Sequence, residues 1–255
     1  MAKNILIYCL VFFSLSNVTI AQYSNNLETN HEIGFMAGPV FFQSDYGQSE
    51  IFENYYKNNG VSIGAFYYVS SVSNNKSSFF EYFKLRLEAS YMKSNLNHYG
   101  IYVDPKNTSI GANQLRAMSG SVSAINFGVQ MEFYPFKTDD YTSDIVTPYV
   151  SLGTQLSNYT SKVVSSLGPL GTTATTPDKY LDGFKNESGI TGSFTTSIGT
   201  RFLLDEYNAL ILDARIQYYF SDWVDGLNPD TNKYPENKSN DWSTTINFGY
   251  VYYIH

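Results

Sequence analysis

Polar and apolar residues alternate along most of this chain. In the stretch FKLRLEASY, Phe83, Leu85, Leu87, Ala89 and Tyr91 share one parity, while Lys84, Arg86, Glu88 and Ser90 share the other. A β-strand sends successive side chains to opposite faces, so one face here is apolar and the other carries three charges. The same period recurs in HEIGFMAGPVFF, GVSIGAFYYVS, AINFGVQMEFYPF, YVSLGTQLS, SFTTSIGTRFLL, ALILDARIQYYFS and DWSTTINFGYVYYIH. Clusters of Asn, Ser, Gly and Asp separate these runs, as turns require. The pattern predicts eight strands, and no helical pattern of comparable length accompanies them.

The connections between the runs alternate in length. Long ones are expected over about 43–59, 94–120, 157–192 and 222–240, with the shorter SVSNNKSS, KTDDYTSD and DEYN between them. Strands of about ten residues, tilted by about 45°, can cross a hydrocarbon core, and outer-membrane barrels combine long extracellular loops with short periplasmic turns. The expected fold is therefore all-β, an eight-stranded antiparallel up-and-down transmembrane β-barrel with both termini periplasmic. A lipocalin-like soluble barrel has the same strand number with the faces reversed, its apolar side chains lining a ligand cavity. Parity alone does not separate the two.

Composition does favour lipid outside. Aromatic residues make up 17% of the chain, with 23 Tyr and 18 Phe, and charged residues only 15%, against roughly 25% in ordinary globular proteins. Aromatic girdles and a small-residue polar lumen account for both numbers. Residues 1–21 read as a signal peptide: Lys3 opens it, Ile5 to Leu15 form an apolar stretch, and Thr19-Ile20-Ala21 precedes Gln22 like a cleavage site. The barrel domain would then span 22–255 and reside in the bacterial outer membrane. Cys9, the single cysteine, falls within the leader, which excludes disulfides, thiol catalysis and cysteine metal sites from the mature chain. Removing Lys3 takes the formal charge of −7 one unit lower, and a chain this acidic is a poor partner for nucleic acid.

If lipid lies outside, the lumen receives Glu32, Lys84, Arg86, Glu88, Glu132, Arg201, Asp213 and Arg215, four acids and four bases. An eight-stranded barrel leaves room for little besides side chains, and charges in so dry a space must be paired. The eight are expected to form a structural ion-pair network, with a gated or narrow ion path as the alternative. Gly34, Gly38, Gly64, Gly128, Gly153 and Gly199 share this face and would make room for the long side chains.

Candidate catalytic and metal chemistry is thin. His98 lies in the second long loop near Ser90 and Ser94, so a Ser–His pair acting on lipid is conceivable. The loop SDWVDGLNPDTNKYPEN gathers Asp222, Asp225, Asn228, Asp230 and Asn232, but the spacing matches no EF-hand, and these are the residues turns ordinarily use. No catalytic, cofactor or metal site is assigned. Trp223, Tyr234 and Trp242 are expected as girdle residues at the outer interface.

HEIGFMAGPVFFQSDYGQ, LRAMSGSVSAINFGVQMEFYPF and WVDGLNP with NDWSTTINFGYVYYI resemble a family of small Bacteroidota outer-membrane barrel proteins, described as porin-like or uncharacterised. The resemblance extends over nearly the whole mature chain and brings no catalytic motif. A more distant analogy, in architecture and in the GFMAG strand, is to the small barrel of the type IX secretion and gliding machinery. It implies a non-enzymatic barrel with a structural or interaction role, an accessory of a secretion or surface complex. A small porin-like channel is the second reading. Expected partners are outer-membrane lipid and lipopolysaccharide, and proteins at the extracellular loops or periplasmic turns.

Overall fold

A computed structural model describes residues 27–46, 56–73, 79–136, 146–234 and 239–254. The expected signal peptide, the connection KTDDYTSD, most of SVSNNKSS and His255 lie outside them. Eight strands form a closed antiparallel barrel in chain order: β1 (Leu27–Gln43), β2 (Asn59–Ser73), β3 (Phe83–Asn97), β4 (Met118–Phe133), β5 (Val146–Ser165), β6 (Ser188–Asp205), β7 (Asn208–Tyr219) and β8 (Trp242–Ile254). Closure joins β1 to β8, with Ile33 opposite Tyr252 and Phe41 opposite Thr244. Every strand thus has two neighbours, and no edge is left to template aggregation. Chain ends and the tight β6–β7 turn share one end of the barrel, here the hairpin end; the long connections share the other, the loop end.

Through the lower and middle barrel the wall has the expected parity. Outward side chains include Ile33 and Phe35 of β1, Leu85 and Leu87 of β3, Phe127 and Met131 of β4, Leu152 of β5, Ile198 of β6 and Phe248 of β8. Phe35 is 62% exposed and Ile198 65%, which is tolerable in lipid and not in water. At the hairpin end the belt is edged by aromatics: Phe83 packs against Phe79 and Phe133 at ring-centroid distances of 4.9 and 5.2 Å. The outward stretch from Val146 to Leu156 rises roughly 25 Å at the usual strand tilt, the height of a typical apolar band.

Above that belt the code inverts. On β5, outward Leu156 gives way to Asn158, Thr160 and Lys162, while Tyr159 and Val163 turn inward and are buried. On β3 outward Lys93 and Asn95 follow Tyr91, with Met92 and Leu96 buried inside. On β4 the outward row runs Ser119, Ser121, Ser123 before Ile125, with Met118, Val122 and Ala124 inside. This inversion explains why the strands run further than the pattern indicates: β4 begins at Met118 and β5 continues to Ser165, over residues read from sequence as loop. On these three strands the loop end is built like a water-soluble protein.

An apolar core fills it. Val40, Phe42, Tyr46, Met92, Leu96, Val122, Val163, Tyr180, Tyr219, Val224 and Leu227 form one buried cluster beneath the loops, with Trp223 and Phe184 packed against it. Trp223 is therefore part of the loop cap and not of the girdle, and Lys185 sits 3.9 Å from its ring centroid. The second long loop contains a short helix, α1 (Ile110–Ala117), whose N-cap Ser109 accepts a hydrogen bond from the Ala112 N–H. Backbone bonds tie the cap together, such as Ser166 N–H to Ala117 O at 3.0 Å and Lys185 N–H to Gly226 O at 2.8 Å.

Candidate functional site inside the barrel

The eight charged residues named from the sequence converge on one interior network. At the hairpin end, Glu32 of β1 accepts from both Lys84 of β3 and Arg201 of β6. Arg201 also lies 3.4 Å from Glu132 of β4. Glu132 is held from three further sides: by Arg86 Nη1 at 2.8 Å, by the Tyr68 hydroxyl at 2.8 Å and by the Tyr134 hydroxyl at 2.5 Å. Arg86 is the hub, with no exposed side-chain surface. Its Nη2 donates to Gln130 Oε1 at 2.7 Å, its Nε lies 3.3 Å from Glu88, and Nη1 lies 3.7 Å from Asp213.

A second tier continues upward. Arg215 Nη1 and Nη2 bracket the Glu88 carboxylate at 2.5 and 2.9 Å, and Nη2 lies 3.4 Å from Asp213. The Tyr149 and Ser197 hydroxyls donate to Asp213 at 2.7 and 2.8 Å. Four carboxylates face four cations in a space that excludes bulk water, which is the condition under which buried charge is tolerable. Lys84 alone of the eight keeps appreciable exposure, its side chain 20% accessible at the hairpin end.

Small residues make this density possible. Gly128 of β4 stands opposite Gln155 of β5, and Gln130 stands opposite Gly153. A Cβ at Gly128 would fall 2.3 Å from the Gln155 Cγ, and one at Gly153 would fall 2.4 Å from the Gln130 Cγ. Each glycine clears the lumen for the glutamine across from it, and Gln130 then serves both Arg86 and, through its Nε2, Glu88 at 3.2 Å.

Above the ion pairs lies a neutral polar layer. Gln217 Nε2 donates to Ser193 at 2.9 Å and to Ser157 at 3.2 Å, and Ser62 donates to Asn247 at 3.0 Å. A cavity of about 20 Å³ remains here, bordered by Met36, Ser62, Asn126, Arg215 and Asn247, room for about one water molecule. Over it the apolar core of the loop end closes the lumen.

Tyrosines are the part of the site that charge counting misses. Tyr68 and Tyr149 sit on the inward parity of β2 and β5, so their placement is readable, but nothing marks them as partners of Glu132 and Asp213. Tyr134 lies just past the end of β4, on the same parity as Glu132, and likewise turns into the lumen.

The other candidates disperse. Among the described residues neither Ser94 Oγ nor His98 Nε2 has a hydrogen-bond partner, and Ser90 Oγ accepts from Asn126 at 3.4 Å, so no Ser–His pair is assembled. The His98 ring is buried between Tyr46 and Tyr180, at 4.9 and 5.7 Å between centroids. Burial, helped by nearby Lys179, pushes its pKa down to about 3. Among the loop acids, Asp230 receives the Asn232 N–H at 3.0 Å and builds a turn. Asp225 is fully buried; it accepts the Asp45 and Leu227 N–H groups at 2.8 and 2.6 Å, while its own N–H goes to Asp241 at 3.0 Å. Burial and the neighbouring aspartates hold the Asp225 and Asp241 carboxyls well above the usual range. Among the described residues no three His, Asp or Glu side chains converge as a metal site.

No protein-family model matches the chain, and neither does any curated protein. Solved structures of similar shape are outer-membrane barrels. A major outer membrane protein from Thermus thermophilus shares 13% identity at a TM-score of 0.49, over 89% of this chain and 99% of that one. The attachment invasion locus protein Ail of Yersinia pestis, solved with the heparin analogue sucrose octasulfate, shares 13% at a TM-score of 0.41, over 90% and 100%. OprG from Pseudomonas aeruginosa shares 10% at 0.41, over 89% and 98%. These are likenesses of fold.

Proposed function

We propose that this chain is a non-enzymatic outer-membrane β-barrel with a filled lumen, acting through its loop cap and turns as a structural or interaction component. The observation that carries this reading is the closed interior: charged tiers centred on Arg86, a polar layer, then an apolar core, with a water-sized cavity between. The outward apolar wall opposes a lipocalin-like carrier, which needs those side chains inside. The long loops are extracellular on this reading and both termini periplasmic. A role as an accessory of a secretion or surface complex draws on the sequence resemblance.

Two measurements test it. The folded protein should resist SDS when cold and shift its apparent mass on boiling, and it should give no steady unitary conductance in planar bilayers. Stable conductance steps would make it a channel instead; a protein that stays soluble and shows no shift would not be a membrane barrel at all.

A further inference from the structure

Charge is almost absent from the outward wall. Apart from Asp205 at the β6–β7 turn, Lys93 and Lys162 are the only Lys, Arg, Asp or Glu on the outward parity of the described strand residues. Both are exposed, and among the described residues neither has an acidic partner. They lie on the same side of the barrel, on β3 and β5, with β4 between them. The cross-strand rows are Lys93–Ser123–Thr160 and, one step higher, Asn95–Ser121–Lys162. This diagonal places the two lysine backbones roughly 12 Å apart, so two extended side chains can meet over the serines. Ser121 and Ser123 are half-buried and leave a shallow strip lined with hydroxyls. Glu187, whose carbonyl accepts the Ser161 N–H, stands before β6 with its carboxylate 3.7 Å from Lys185.

Directly below the strip the wall is apolar again. Tyr91 and Ile125 are paired across β3 and β4, as are Phe127 and Leu156 across β4 and β5, and all four are 40–60% exposed. Unpartnered ammonium groups above a greasy floor, at the height where the wall changes from apolar to polar, match one kind of molecule: a lipid with acyl chains below and phosphate above. Basic side chains at a bilayer surface draw anionic headgroups, each contributing about a factor of five.

We propose that Lys93 and Lys162, across the Ser121–Ser123 strip, dock a headgroup phosphate of an anionic lipid in the leaflet surrounding the loop end. This rests on the membrane reading above. The test uses the full-length mature barrel in detergent micelles, with hexa-acylated lipid A carrying both phosphates as the probe and native mass spectrometry as the readout. Wild type should retain one lipid A. The K93A/K162A double variant should bind roughly 30-fold more weakly, the K93R/K162R pair should restore binding, and K185A should bind like wild type. Lipid A stripped of its phosphates should bind wild type no better than intact lipid A binds the double alanine variant. Equal retention by wild type and the double alanine variant, or by intact and stripped lipid, overturns the proposal. Cold and boiled gels of each variant keep the two readings apart: folded barrels without lysine dependence sink only the lipid site, whereas no heat shift in wild type sinks the membrane reading beneath it.

Discussion

Arg86 shows why a charge can sit at the centre of a membrane barrel. Glu132, Glu88 and Asp213 surround it, and Gln130 takes its remaining Nη2 donor. Removing one partner from such a group leaves the others charged and dry, at a cost of about 3–5 kcal/mol. An Arg86→Ala variant should therefore unfold at distinctly lower urea in micelles, while Lys84→Ala, at the more open hairpin end where Arg201 still pairs with Glu32, should lose less. Equal losses would show that position along the barrel axis does not govern the cost. All eight charged positions were readable from alternation, because lumen residues share a parity with Gly and Ser. Their tyrosine partners share that inward parity, but a phenol is at home on either face of a strand, and only the fold reveals which carboxylates Tyr68, Tyr134 and Tyr149 meet.

At the level of the element, the loop cap is held by carboxylates from separate segments: Asp45 after β1, Asp225 in the last loop and Asp241 before β8. Facing them are Asp222, half-buried with its pKa pushed up to about 6 by burial, and Tyr46, whose hydroxyl is pushed up by burial and by Asp225. A carboxyl raised in the folded state holds a proton that the unfolded chain has released, so its stabilisation is greatest at low pH and fades as pH rises through the raised value. His98 acts the other way: buried neutral, it contributes above pH 6.5, and that contribution is lost as pH falls toward 3. Above pH 7 the aspartates alone should govern the cap. Raising pH above 7 should lower the protection of amides 222–227, measured against free-peptide exchange at each pH, and D225N/D241N should flatten the dependence; protection constant with pH in wild type would refute this. Here the sequence was least legible. DWVDG reads as turn chemistry, and the aspartates become a cluster only when the barrel brings Asp45 and Asp241 beside Asp225. The upper strands were hidden for a related reason: with the core now apolar inside and polar outside, Asn158 to Ser165 keeps its alternation but no longer looks like a lipid-facing strand.

For the molecule as a whole, strand number, order, parity and the alternation of loop lengths were all present in the pattern, since a closed meander needs nothing beyond local hairpins and one closure. The vertical profile adds what the pattern left out. Arginine in the middle of the apolar belt should cost about 2–4 kcal/mol, and near its rim about 0–1. Val129→Arg, midway along the outward apolar row of β4, should accordingly destabilise the barrel severely in bilayers, and Ser123→Arg scarcely, by folding titration into phosphatidylcholine vesicles. Similar values at both positions would mean that the belt does not end where the side chains change.

That change of side chains also works as a waterline. Because Lys93, Ser123 and Asn158 follow immediately on Tyr91, Ile125 and Leu156, the depth at which the barrel floats is written into three adjacent strands. A thicker bilayer would drown the lysines, and a thinner one would strand Ile125 and Leu156 in water; each ångström of mismatch has its cost. The wall is in this sense a gauge, and the protein will gather where the membrane matches it.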